Sequence, residues 1–159
     1  MRIHLIAVGT RMPGWVETAF SDYAARLPHE CGLHLVEIAP GQRGKNADIA
    51  RAKQAEGEKI LKAIKTLPRD SHVIALDERG EMLSSVGWSD ALKTWMQMGR
   101  DVCLLVGGPD GHAPEVLARA DRKWALSKLT LPHALVRVLV AEQLFRAHSL
   151  LVNHPYHRA

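Results

Sequence analysis

The stretch DVCLLVGG, residues 101–108, limits the fold of this chain more than any other segment. From Val102 to Val106 it offers no polar side chain that could face water. A near-continuous apolar run of this kind suits a strand covered on both faces, as in a parallel sheet with helices on either side. Other strand-like stretches support that reading. RIHLIAVG is ended by Gly9, GLHLVEI alternates and is rich in branched residues, and SHVIALD and RKWALS follow later.

Helical patterns lie between them. PGWVETAFSDYAARL carries Val16, Phe20, Tyr23 and Leu27 at helical spacing, and a polar loop, APGQRGKNAD, leads into a long helix with Ile49, Ala52, Ile60 and Ile64 on its inner face. WSDALKTWMQM closes on Gly99 in a C-cap position. APEVLARA has Pro114 early in its first turn, and ALVRVLVAEQLFRAHSLL forms the final helix. Strands alternating with helices define an α/β fold with a mostly parallel sheet flanked by helices, in a single domain over residues 1–159.

Composition narrows the class. A hydrophobic fraction of 47% is ordinary for a globular chain, and charges break every long apolar stretch, so no membrane span is expected. The opening MRIHLIAVGTRMPG reads as a first strand rather than a signal peptide. Cys31, at a strand start, and Cys103, inside an apolar run, suggest no disulfide framework, which makes a reducing cytoplasm the expected location. A formal charge of +4 permits an RNA or other polyanion partner without establishing one.

On the final helix, Arg137 and His148 fall on one side, with Glu142, Arg146 and Gln143 at other angles. With its polar groups scattered, the helix has no wide solvent face and is covered on several sides, by its own core or by another subunit. Glu142 and Arg146 stand four apart in the favourable order for an ion pair.

Ligands of α/β sheets gather beyond the carboxyl ends of strands. Three such loops have unusual chemistry here: IALDERG, LLVGGPDG and LSKLTLPH. Gly107, Gly108 and Gly111 let backbone approach a ligand, although Pro109-Asp110-Gly111 is also good turn chemistry. Neither a dinucleotide fingerprint nor a phosphate loop is present. LSKLTLPH places Leu126, Leu129 and Leu131 where polar residues are expected. Such a loop either tucks into the core or lines an apolar pocket whose backbone groups read an adenine-like ring. Arg43 and Lys45 form a basic loop, open to a solvated or a phosphate-binding reading. Cys31 and His34 could join His154 and His157 as metal ligands only if strand two met the tail, and no metal is expected. No nucleophile triad or paired-carboxylate site stands out.

The motifs AVGTRMPGWV, GQRGKNADI, LLVGGPDG, LTLPHALVRVLVAEQLFRA and NHPYHR resemble the RlmH family, ribosomal RNA pseudouridine methyltransferases of the SPOUT class. The resemblance runs from Met1 to Arg158, and its last two motifs are the most specific. It implies a C-terminal trefoil knot, a homodimer packed through the knot region, and methyl transfer from S-adenosylmethionine to N3 of a pseudouridine in 23S rRNA of the assembled ribosome. It places the methyl donor against Leu76, Gly108, Ser127, Lys128, Leu129, Thr130, Leu131 and Pro132, with Lys128 contributing backbone only. Arg43, Lys45, His133, Arg137 and Tyr156 are expected at the RNA substrate, and His157 and Arg158 at the reacting base. The tail of one chain would cover the cofactor pocket of the other.

Methyl transfer from a sulfonium needs orientation and a deprotonated N3, without metal or covalent intermediate. Arg158 would stabilise the N3 anion or dock a phosphate, and His157, His133 or water would take the proton. A ribosome-associated binding protein without catalysis and a small-molecule α/β enzyme are the competing classes. Donor binding separates the first from methyl transfer, and analysis of the RNA product separates the second.

Overall fold

The computed structural model describes residues 1–45 and 48–158; Asn46 and Ala47 of the GQRGKNADI stretch, and Ala159, lie outside the described residues. Its sheet has the strands β1 (Arg2–Val8), β2 (Gly32–Ile38), β3 (His72–Met82), β4 (Val102–Val106) and β5 (Arg122–Ala125). The order is β2-β1-β4-β3-β5 and every pairing is parallel. As the apolar run requires, β4 lies in the middle with all its residues buried, paired with β1 on one edge and β3 on the other.

Alternation along the strands sorts side chains into two cores. Ile3, Leu5 and Ala7 of β1, with Val102, Leu104 and Val106 of β4, join α1 (Gly14–Arg26), α3 (Ser85–Met98) and α5 (His133–Leu151). Ile6, Val8, Cys103 and Leu105 face the opposite way, toward α2 (Ile49–Ile64) and α4 (Pro114–Arg119). On the larger side α5 packs against both α1 and α3. Trp124 of β5 stacks on Trp95 at 5.7 Å and meets Trp88 edge-on at 5.1 Å, fixing α3 against the outer strand.

Local signals hold at several helix ends. Asp48 caps α2 by accepting from the Arg51 amide, Ser84 caps α3 by accepting from Gly87, and Gly99 ends α3 at φ +68°. Pro132 is the N-cap of α5, one residue ahead of the helix proper. Glu142 and Arg146 pair as the spacing predicts, at 2.7 Å. No residue of α5 is exposed, in agreement with its scattered polar positions.

Three expectations need correction. Ile49 is 56% exposed at the first position of α2, while Ala52, Ile60 and Ile64 do form the inner face, joined there by Glu56 and Gly57. Cys31 lies in a short 3-10 turn ahead of β2 rather than in the strand, and it is fully buried. Strand β3 does not stop near Asp77. Its pairing with β5 slips between Leu76 and Glu81, and it resumes to Met82. The loop expected after β3 is therefore a wide bulge inside a longer strand, a device that re-aims side chains beside a site.

Gly80 makes this bulge possible, since a Cβ there would come within 2.6 Å of the backbone of Lys123 and Trp124. Gly80→Ala is expected to cost about 1–3 kcal/mol, because backbone cannot yield as a flexible side chain does. Chemical denaturation measures this; a loss too small to detect would show that β5 moves aside freely.

Candidate active site

Helices α1, α3 and α5 cover one face of the sheet and α2 and α4 the other, so the chain leaves β3 and β4 toward opposite faces. Neighbouring parallel strands that diverge in this way open a crevice beyond their carboxyl ends. A cavity of about 690 Å³ lies there, within the range of small-molecule sites. Its walls are the β3 bulge with Leu76, Asp77, Glu78 and Arg79, the glycine loop from Gly107 to Gly111, and the leucine loop from Leu126 to His133.

The glycine loop satisfies both meanings of its sequence. The Gly111 amide donates to the Gly108 carbonyl at 3.0 Å, closing a turn through Pro109 and Asp110 with Gly111 at φ +80°. The same turn lines the cavity. The leucine loop likewise resolves toward a wall. Leu129 is 72% exposed at the cavity rim, and Leu126 and Leu131 are half-buried, so the loop is not tucked into the core. Ser127 shapes it, its hydroxyl accepting from the Leu129 amide at 2.9 Å. That tight turn leaves Lys128 exposed at its tip and outside the cavity wall, unlike Ser127, Leu129, Thr130, Leu131 and Pro132.

His133 also lines the cavity, but the other residues expected at substrate do not. Arg137, one turn further along α5, is 2% exposed. It donates to Glu37 at 2.9 Å and to the Gly9 carbonyl at 3.2 Å, so it locks the ends of β1 and β2 to α5 instead of reaching outward. Arg43 is likewise bound within the protein, to Glu56 and Asp110, while Lys45 is exposed. Tyr156, His157 and Arg158 form a 3-10 turn packed on the far part of α5. The Tyr156 hydroxyl donates to Glu142 at 2.9 Å and its ring lies 4.6 Å from that of Phe145, with the Arg146 guanidinium over the Tyr156 ring at 5.0 Å. Burial and the Tyr23 and Glu142 hydrogen bonds push its phenol well above the usual value. From His133 to Phe145 is about 18 Å of helix at 1.5 Å per residue, so the chain's own tail stands away from its own cavity.

Some lining residues had no clear mark in the sequence. Lys53 comes from mid-helix and Trp124 from a strand, and only their placement reveals them. Asp77 belongs to the IALDERG stretch, and its carboxylate accepts from the Arg79 amide at 2.8 Å. Burial works to raise its pKa, but the Arg79 contacts outweigh it and hold the group ionised. His112 follows the glycine loop, 5% exposed, with Nε2 3.1 Å from the Leu105 carbonyl. Cys31 and Cys103 are buried with thiols pushed up to about 11 and about 12, chiefly by burial, and both are free. Among the described residues no three His, Cys, Asp or Glu side chains could hold a metal ion, and no helix is long and apolar enough to cross a membrane.

An α/β sheet with a crevice at its switch point, walled by a glycine turn and an apolar loop, defines an α/β protein with a small-ligand site. Comparison with known proteins makes the class specific. The family model described as "Predicted SPOUT methyltransferase" matches residues 1–157. The Ribosomal RNA large subunit methyltransferase H of Thioalkalivibrio sulfidiphilus (strain HL-EbGR7) is 57% identical over 158 residues, covering 99% of each chain. That of Hydrogenovibrio crunogenus (strain DSM 25203 / XCL-2) is 51% identical with the same coverage. A solved structure described as a probable methylase family protein from Haemophilus influenzae Rd KW20 covers 97% of this chain and 69% of its own, with a TM-score of 0.59 at 15% identity, a likeness of fold. The chain belongs to the SPOUT methyltransferase family, and it is a methyltransferase.

The site histidines give a pH dependence. Burial holds His112 and His133 below the usual histidine pKa, with the Arg137 charge adding to the effect at His133, and burial also lowers His72 and His148. A depressed native pKa means that the unfolded chain binds more protons just below its own pKa of about 6.5, so stability rises with pH in that window. The contribution is complete above about pH 6.5 and is lost as pH falls through the lowered native values. The thermal midpoint is expected to drop between about pH 7.5 and about pH 5.5. A flat profile would mean that these rings are solvated.

Proposed function

We propose that this methyltransferase uses S-adenosylmethionine to methylate N3 of a pseudouridine in large-subunit ribosomal RNA, acting on the assembled ribosome as a homodimer. The observation that carries the proposal is the cavity whose wall unites Leu76, Gly108 and every residue from Ser127 to Pro132 but Lys128, positions that the motif resemblance assigns to the donor. The names of the relatives support the RNA class. The trefoil knot belongs to the same reading: after central β4 the chain crosses to edge strand β5, and α5 returns between α1 and α3.

The residues present fit such a donor. A Cβ on Gly108 would press on Glu56 and Val8 behind the loop, so glycine lets this backbone sit where it lines the cavity, and Leu126, Leu129 and Leu131 offer apolar faces to a ring. When bound, S-adenosylmethionine supplies a methyl group activated on a sulfonium. The protein's own work is to hold the base in line and favour its N3 anion. His133 is at the cavity and is kept neutral, which suits it to accept the N3 proton. Arg158 is exposed at the end of the tail and would stabilise the anion from the partner subunit. The remoteness of the tail from its own cavity supports action across a dimer.

Mass spectrometry of ribosomal RNA from cells with and without the gene tests the reaction. One methyl group on a large-subunit pseudouridine is expected to disappear without the gene; unchanged RNA would refute the proposed substrate.

The arrangement of the tail is testable by complementation. A chain truncated after Val152 and a Gly108→Val chain are each expected to be nearly inactive as homodimers. Refolded together in equal amounts, they should recover about a quarter of wild-type activity, because half the dimers are mixed and each mixed dimer has one intact site. Methyl incorporation no greater than that of the separate variants would place the tail on its own chain's site.

A further inference from the structure

On the buried face of α2, among Ala52, Ile60 and Ile64, stands a carboxylate, Glu56, only 2% exposed. Burying a charge is costly unless it is paired and fully hydrogen-bonded, so a position that served packing alone would favour an apolar residue. Glu56 is fully engaged. Its Oε2 accepts from the Gly41 amide at 2.9 Å and from Arg43 Nη1, and its Oε1 accepts from Arg43 Nη2 at 2.9 Å. Burial alone would raise its pKa, but the Arg43 and Gly41 hydrogen bonds overcome that and keep it ionised.

Two close approaches show what the carboxylate supports. A Cβ on Gly108 would sit 3.1 Å from Oε1 and 3.3 Å from Oε2, so Glu56 lies directly behind the backbone of the glycine loop. A Cβ on Gly41 would come within 2.5 Å of the Ala52 carbonyl, so the basic loop also crosses α2 in backbone contact. Arg43 then joins the two loops, because its Nε donates to Asp110 at 2.8 Å while its other nitrogens hold Glu56 and the Gly41 carbonyl. The guanidinium is used on both edges, a geometry that lysine cannot reproduce. Arg43 is thereby committed within the protein, which leaves Lys45, exposed two residues on, to meet a phosphate.

We propose that Glu56 is a positioning residue for methyl transfer: it seats the glycine loop against the donor and, through Arg43 and Asp110, ties the basic RNA-facing loop to it. Donor and RNA then bind with positive coupling, since whatever settles one loop settles the other, and the coupling is reciprocal. The inference rests on the proposed donor and RNA substrate.

The test measures coupling rather than activity, because a purely structural role would not move it. S-adenosylhomocysteine serves as the donor-site probe in calorimetry, and purified large ribosomal subunits as the RNA probe in filter binding. In the wild-type protein, saturating S-adenosylhomocysteine is expected to tighten subunit binding at least about fivefold. In Arg43→Lys, which keeps the charge, and in Glu56→Gln, each ligand is expected to bind alone but the coupling factor to fall to about one. Should Glu56→Gln fail to fold, Asp110→Ala, at an exposed loop position, removes the acceptor of Arg43 Nε, cuts the other end of the strap and decides the matter with Arg43→Lys. Coupling that persists in these variants, or its absence from a wild-type protein that binds both probes, overturns the inference. A wild-type protein that binds no S-adenosylhomocysteine instead refutes the donor assignment, and the strap with it.

Discussion

Strand β4 is hydrogen-bonded on both edges and covered on both faces, and the rest of the structure is arranged around that burial. A parallel strand in this position requires crossovers, and those crossovers need helices on both sides of the sheet. All five carboxyl ends then lie along one edge, because every pairing is parallel. The divergence of the chain after β3 and β4 opens the crevice at that edge. Without the apolar run from Val102 to Val106, neither the layers nor the site would have a fixed position.

Two ion pairs, each with one partner buried and the other reaching toward solvent, then hold the loops that the sheet brings together. Arg137 joins α5 to Glu37 and to the Gly9 carbonyl, anchoring the mouth of β1 and β2. Glu56 and Arg43 anchor the glycine loop and the basic loop to α2. Pairs of this kind add little net stability, since desolvation offsets most of the attraction. Their value is directional: a planar guanidinium, bidentate on Glu56 in Arg43 and shared between Glu37 and the Gly9 carbonyl in Arg137, accepts few geometries and so fixes loops that apolar packing would leave variable.

At the other end of α5, the tail uses aromatic contacts. The Tyr156 ring meets Phe145 and Tyr23, its hydroxyl reaches Glu142, and Arg146 lies over the ring. A terminal segment would ordinarily fray, and this anchorage opposes it. Tyr156 is therefore committed to its own α5 and α1 in this chain. Arg158, two residues on, is exposed and remains available to another molecule.

Legibility divides by range. Strand and helix identity, the covered nature of β4, the cap at Gly99, the helix start at Pro114, and the Glu142–Arg146 pair all follow from periodicity or from neighbours within a turn. The sequence motifs alone also marked the glycine and leucine loops that prove to wall one cavity. Tertiary structure decided which way long side chains turn. Arg137 and Arg43 look like free cations in the sequence, yet partners 100 and 13 residues away bind them. Glu56 reads as a surface charge until Gly41 and Gly108 are seen closing over it. The β3 bulge was equally hidden, because it is a mismatch with β5, some forty residues later. Local sequence determines what a segment can become, through backbone propensity and the period of its apolar residues. Which charges are buried depends on distant contacts, since only the assembled fold supplies the partner that makes burial tolerable.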